Sequence, residues 1–155
     1  MSYNISNYFK ISIIQYNCVR ITANMYICLE IGLERNIDFI LVQELWIAKD
    51  NIYIISHTAY HTILPEFCDV RPRVAVFVKK DLIHQFCYRS DLCKDSDIII
   101  LDILNSEIPD FQIMNIYNEK LLKENCNDWI LNRILSYIKL QKYLLICGDF
   151  NAYHL

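Results

Sequence analysis

Short, strongly apolar segments recur along the chain, and polar residues directly follow several of them. Segments 11–17 and 38–43 are rich in Ile, Leu and Val, and the apolar residues of segment 23–33 between them fit a helix best. A strand, a helix and a strand within about thirty residues form a βα unit of an α/β or mixed sheet. The opening third of the chain therefore predicts a sheet with a helix packed against it.

The rest of the chain continues the pattern with more strand-like segments and one further helix. Strands are predicted at 58–64, 73–78, 81–88, 98–104, 111–117 and 143–147, and a helix at 125–139. Segment 81–88 is expected to pair with 73–78 as a hairpin. Segments 11–16, 38–43 and 143–147 are expected to lie together at the centre of one sheet. This order of elements predicts a layered α+β domain.

Composition agrees with a single folded domain inside the cell. The 155 residues are 54% hydrophobic and carry a net charge of −3, which excludes a disordered chain. The first ten residues lack the pattern of a secretory signal, and no apolar run is long enough for a membrane helix. The seven cysteines are odd in number and contain no C-x-x-C pair, so we expect reduced, mostly buried thiols rather than a zinc ribbon.

Polar side chains stand at the ends of three apolar strands. Asn17 ends the first, Glu44 follows the second, and Asp149 and Asn151 follow the last, next to Gly148. Such strand ends converge on one rim of a sheet, and two carboxylates there suit a hard cation such as Mg²⁺. A separation of their carboxyl groups beyond about 10–12 Å would exclude a shared metal site. The alternative is that these residues only form turns.

The histidines give a weaker signal for metal binding. His57 and His61 lie four residues apart, which is a ligand spacing on a helix. Their segment is strand-like, however, and residues four apart on a strand are separated by about 13 Å. Zinc sites also normally need more ligands than these two residues supply. We therefore do not expect a metal site at this pair.

Seven stretches of the chain together carry a resemblance to a known family. They are QYNCVR (15–20), Met25, DFILVQELW (38–46), SHTAYHTILP (56–65), RPRVAVFVKK (71–80), FQIMNIYN (111–118) and LLICGDFNAYH (144–154). In this order they resemble the endonuclease/exonuclease/phosphatase superfamily. The similarity is greatest to the N-terminal endonuclease domain of fungal LINE-type (non-LTR) retrotransposon polyproteins.

The resemblance implies a fold and a set of site residues. The fold would be a partial four-layered α/β-sandwich, with residues 1–10 as an extension and 11–155 as an incomplete domain. Glu44 would bind Mg²⁺ (or Mn²⁺), with Asn17 near the metal. Asp149 would orient the attacking water, while Asn151 and Tyr117 would contact the scissile phosphate. DNA would be the substrate and the nucleus the place of action.

The chain also departs from the family's pattern. The family continues beyond G-D-F-N to a C-terminal Asp and a His motif, and neither is found here; His154 belongs to the G-D-F-N stretch. The resemblance thus implies a domain missing its C-terminal part. Two hypotheses follow: a Mg²⁺-dependent DNA-nicking endonuclease, or a catalytically inactive transposon remnant with the same fold.

Overall fold

A computed structural model describes residues 10–45, 56–66, 71–104, 111–118, 137 and 143–151. These residues form two four-stranded sheets and one α-helix. The strands are β1 (Ile13–Asn17), β2 (Phe39–Gln43), β3 (Tyr60–Ile63), β4 (Val74–Lys79), β5 (Phe86–Tyr88), β6 (Ile98–Ile103), β7 (Phe111–Tyr117) and β8 (Tyr143–Asp149), and the helix is α1 (Thr22–Glu34). The predicted helix at 125–139 lies outside the described residues, except for Tyr137.

The first sheet has the strand order β1-β2-β4-β3 and the second has the order β5-β6-β7-β8. α1 connects β1 to β2, which run parallel as the predicted βα unit requires. All five residues of β2 are buried, because α1 covers one face of the first sheet and the second sheet covers the other. This double coverage explains why β2 is apolar along most of its length.

The core consists of layers with alternating side chains. Leu41 and Val76 point between the sheets toward Leu101 and Ile113 of the second sheet, in one continuous apolar cluster. The intervening residues of β2 and β4 face α1 instead, where they pack against helix residues: Ile40, Val42, Ala75 and Phe77 against Met25, Cys28 and Leu29. The outer face of the second sheet carries a third cluster that includes Met114 and Tyr137. The layered α+β fold predicted from the sequence is therefore present.

Two expectations about strand pairing are wrong. β8 does not share a sheet with β1 and β2 but runs parallel to β7 at the edge of the second sheet, with Asp149 opposite Tyr117. Apolar content marks a strand as buried, and both sheets of a sandwich bury their strands equally well. β8 still contacts β1 and β2 across the interface between the sheets.

The second wrong expectation is the hairpin between segments 73–78 and 81–88. A short 3₁₀ helix, Lys80–Leu82, follows β4 and carries the chain to the other sheet, where β5 pairs antiparallel with β6. The rings of Phe39 and Phe86 meet edge to face across the two sheets, with their centroids 6.4 Å apart. Through this aromatic contact β5 packs against the first sheet from the opposite layer, instead of lying beside β4 within that sheet.

A polar link crosses the otherwise apolar space between the sheets. Asn115 of β7 donates hydrogen bonds to the backbone oxygens of Val42 (3.1 Å) and Ala75 (2.9 Å). Its Oδ1 accepts a hydrogen bond from Nε2 of Gln43 (2.5 Å), and both side chains are fully buried. Since buried polar groups are stabilising only when they are paired, this link fixes the position of one sheet relative to the other.

The contact between α1 and the first sheet predicts a fold that is sensitive to alkaline pH. Burial raises the pKa of the Cys28 thiol from 9.0 to about 11. Burial, together with Asp38, Cys28 and Asp81 nearby, raises the pKa of the Tyr60 hydroxyl from 10.0 to about 12. The Tyr60 hydroxyl donates a hydrogen bond to the backbone oxygen of Ile37 (2.9 Å). In the folded chain both groups therefore stay protonated at pH values where the same groups ionise in the unfolded chain. Because the unfolded chain loses these protons at lower pH, alkali favours unfolding.

The contribution of these two groups to the free energy of unfolding is fully present below pH 9. It is lost as the pH rises toward their folded-state pKa values of about 11 and about 12. We expect the free energy of unfolding to fall by roughly 3–5 kcal/mol over this range, at about 1.4 kcal/mol per pH unit for each group. Urea denaturation at a series of pH values measures the fall. Cys28→Ala combined with Tyr60→Phe should flatten the slope; an unchanged slope would exclude these groups as its source.

Candidate functional site

Three of the side chains singled out from the sequence meet where strands of both sheets end. Asn17 is the last residue of β1, Glu44 directly follows β2, and Asp149 is the last residue of β8. Nδ2 of Asn17 donates hydrogen bonds to Oε1 of Glu44 (2.9 Å) and to Oδ2 of Asp149 (2.7 Å). The two carboxylate oxygens are therefore no farther apart than these two bonds combined, well inside the limit set above. The convergence is as expected, but it spans two sheets rather than the rim of one.

Asn151 belongs to the same cluster. Its backbone N–H donates to Oδ1 of Asp149 (3.0 Å), and its side chain donates to the backbone oxygen of Asn118 (2.5 Å). Its φ of 43° lies in the left-handed region, which Asn adopts more readily than most residues. Glu44 also has a left-handed backbone, with a φ of 49°, and its backbone oxygen accepts a hydrogen bond from the N–H of Arg20 (3.0 Å). Such conformations cluster at functional sites.

Gly148 is required by the close approach of β8 to β7. A Cβ at this position would lie 2.0 Å from the backbone oxygen of Ile116, and the φ of 154° is one that other residues rarely adopt. The glycine thereby lets Asp149 reach its place opposite Tyr117 in the parallel pair. A glycine therefore precedes Asp149 mainly because the backbones of β7 and β8 lie so close here, and less because the chain must turn.

Tyr117 lies in a polar setting at the end of β7. Its side chain is buried, and its backbone N–H donates to the backbone oxygen of Asp97 (2.9 Å). The Arg73 guanidinium stands over the ring, 5.3 Å from its centroid, and donates two hydrogen bonds to Asp97 (2.6 and 2.5 Å). Burial and the nearby Glu44 raise the pKa of the Tyr117 hydroxyl, although Arg20 and Arg73 partly oppose this. The hydroxyl is protonated at neutral pH and can donate to a ligand.

Sequence reasoning missed three residues of this site. Arg20 lies beside both Glu44 and the Tyr117 hydroxyl, while Arg73 and Asp97 form an ion pair next to the Tyr117 ring. Arg73 is largely buried against Asp97. Its position immediately before a buried strand is the signal that could have identified it, as it did for the polar residues after such strands.

The donor set suits a hard divalent cation. Glu44 and Asp149 offer carboxylate oxygens, and the side-chain amide of Asn17 lies between them. Mg²⁺ typically binds to one or two carboxylates and fills its other positions with water and substrate phosphate. Zinc centres, in contrast, are built mainly from nitrogen and sulfur ligands.

The cysteines and histidines near these strands belong to the packing rather than to the site. Cys18 follows Asn17 but is buried in the layer under α1, and burial raises its pKa to about 12, so it is a neutral thiol. Burial also raises the pKa of Cys147. His57 packs beside α1, with its Nε2 3.5 Å from Oε1 of Glu30, and His61 is exposed on β3.

Comparison with known proteins finds similarity at the level of structure. No protein-family model and no curated protein match the chain. The endonuclease domain of TRAS1, a telomere-specific non-LTR retrotransposon, superimposes with a TM-score of 0.68 at 16% identity, over 94% of this chain and 61% of that one. Humanized TDP2 of D. rerio gives a TM-score of 0.63 at 17% identity, over 93% and 63%. D. rerio TDP2 in complex with a single-strand DNA product gives 0.62 at 15%, over 93% and 62%.

The chain thus spans about three fifths of the length of these structures. No helix among the described residues is long and apolar enough to cross a membrane. The superpositions cover more than nine tenths of this chain, so the similarity extends over both sheets. Since TRAS1 endonuclease and TDP2 are both members of the endonuclease/exonuclease/phosphatase superfamily, the chain has the fold of that superfamily.

Proposed function

We propose that the chain is a Mg²⁺-dependent phosphodiesterase that nicks DNA. The observation that carries the proposal is the single amide of Asn17 that joins the carboxylates of Glu44 and Asp149 where the two sheets meet. Carboxylate oxygens are the ligands that Mg²⁺ prefers, and two of them held this close could bind one cation together. Their arrangement next to hydrogen-bond donors is what hydrolysis of a phosphate ester needs.

Each side chain has a role that follows from its position. Glu44 and Asn17 would hold the cation, which would neutralise charge developing on the phosphate. Asp149 would orient a water molecule and accept its proton as the water oxygen attacks phosphorus. Asn151 and the protonated hydroxyl of Tyr117 would donate hydrogen bonds to the non-bridging oxygens, whose negative charge increases in the transition state.

DNA is the substrate class that the structural relatives favour. One is the endonuclease domain of a retrotransposon, and another was solved with a single-strand DNA product. A nuclease that acts on chromosomal DNA would work in the nucleus. The proposal for this chain is therefore cleavage of one strand of DNA at a phosphodiester bond.

The test is conversion of supercoiled plasmid into the open circular form. We expect nicking with Mg²⁺ or Mn²⁺, its loss on chelation with EDTA, and its return when the cation is restored in excess. Absence of nicking under all metal conditions, by a chain shown to be folded, would overturn the proposal. The alternative, a non-catalytic transposon remnant, predicts that result.

A further inference from the structure

Arg20 stands at the entrance of the candidate site with its charge only partly used. Its side chain is 56% exposed, and its Nε lies 3.6 Å from Oε2 of Glu44, beyond a direct hydrogen bond. Its guanidinium also lies near the Tyr117 hydroxyl, where its positive charge partly opposes the rise in the pKa of that hydroxyl. Arg73 makes two short hydrogen bonds to the buried Asp97 and is thereby committed to a structural pair. The looser pairing of Arg20 leaves donors available to a ligand.

The backbone holds Arg20 in this place at an energetic cost. Val19 and Arg20 have φ values of 51° and 57°, a left-handed conformation in two successive residues, which is an outlier for a β-branched residue such as Val. Hydrogen bonds tie this turn to the site: Val19 N–H to Oδ1 of Asn17 (2.8 Å) and Arg20 N–H to the backbone oxygen of Glu44 (3.0 Å). A conformation that costs on the order of 1 kcal/mol or more per residue persists where the surrounding contacts enforce it.

A fixed positive charge beside the two carboxylates would favour binding of a phosphodiester. Glu44 and Asp149 both repel a phosphodiester, and the ion pair with Asp97 already uses the charge of Arg73. A guanidinium presents several N–H donors in a planar fork that matches the oxygens of a phosphate. Arg20 is exposed and adjacent to Tyr117, which our proposed function places on the scissile phosphate.

We propose that Arg20 is a substrate-binding residue whose guanidinium donates hydrogen bonds to a backbone phosphate of bound DNA. This inference rests on the proposed function for the identity of the ligand. It assigns to Arg20 a contact that is independent of base sequence, because phosphate contacts position a nucleic acid without reading it. The contact therefore contributes to affinity for any DNA sequence.

Binding of a fluorescein-labelled DNA duplex, measured by anisotropy over a series of salt concentrations, tests this. Ca²⁺ replaces Mg²⁺ as the oxygen-binding cation in the assay. Arg20→Gln should weaken binding about tenfold at low salt, as expected for loss of one charge-assisted contact. The slope of log affinity against log salt should fall by about 0.9, the value for one phosphate contact on duplex DNA. Arg20→Lys should restore the slope but only part of the affinity, since it keeps the charge and loses the fork.

Arg35→Ala is the matched control, because it removes one exposed positive charge just beyond the other end of α1. It should leave affinity and slope unchanged, and thermal unfolding of each variant checks that it is folded. Equal effects of Arg20→Gln and Arg35→Ala, or no binding by the unmodified chain, would overturn the inference. Arg20-dependent binding without any plasmid nicking would support the inference and overturn the proposed hydrolytic function.

Discussion

Replacement of Glu44 by Gln is expected to lower the rate of plasmid nicking by about a thousandfold or more, since it removes the charge that would hold the cation. Gln has nearly the same shape, and its side-chain oxygen can still accept the hydrogen bond from Nδ2 of Asn17. The free energy of unfolding should change little, because Glu44 lies at the edge of the core and its pairing with Arg20 is loose. Nicking rates measure the first effect, and urea denaturation measures the second.

The control for this variant is Glu30→Gln, which removes an exposed carboxylate from α1 at a distance from the site. It should nick plasmid at the rate of the unmodified chain. Asp149→Asn is a second variant that should lose nicking as severely, because its amide cannot accept a proton from water. Full activity in either site variant would exclude the roles given to these carboxylates.

Replacement of Gly148 by Ala is expected to have the largest effect on stability. The added Cβ would meet the backbone oxygen of Ile116 at 2.0 Å, and neither β7 nor β8 can retreat without losing the parallel pair. The left-handed φ of 154° adds strain for any residue with a Cβ. We expect a loss on the order of 4 kcal/mol or more in the free energy of unfolding, measured by urea denaturation.

Gly32→Ala provides the comparison, because it adds the same methyl group at the only other glycine of the chain. There the new Cβ would approach Cδ1 of Ile40 at 2.4 Å, the end of a flexible side chain that can turn away. Ala also favours the helix by about 1 kcal/mol relative to Gly, which offsets part of the crowding. Equal destabilisation by the two substitutions would show that backbone contact at Gly148 is not the cause.

Much of this architecture is readable from the sequence because burial and strand geometry leave a direct mark on it. β2 and β6 each begin with four consecutive apolar residues, 39–42 and 98–101, and the structure buries all of them. Asn17 and Asp149 stand where such runs end, and that position alone was enough to expect them together. Local patterns of this kind predict elements and the ends of elements well.

Strand partners and ion pairs are less readable because they depend on contacts between distant residues. The segment of β8 is apolar enough for the centre of either sheet, and only the register with β7 decides between them. Arg73 and Asp97 are separated by more than twenty positions in the sequence. Nothing in the sequence around either residue indicates that the two form a buried ion pair. Arg20 could be noticed within QYNCVR, but its proximity to Tyr117 required the three-dimensional structure.

The polar link between Gln43 and Asn115 has a consequence for how activity would be lost. Glu44 adjoins Gln43 on one sheet, and Tyr117 lies two residues beyond Asn115 on the other. Under the proposed function, each sheet thus carries about half of the reacting groups, and neither half would be competent by itself. A slippage of the sandwich too small to disrupt either sheet would already separate the halves. The rate of hydrolysis would therefore depend on the alignment of the two sheets. On heating, we expect activity to be lost before the secondary structure unfolds.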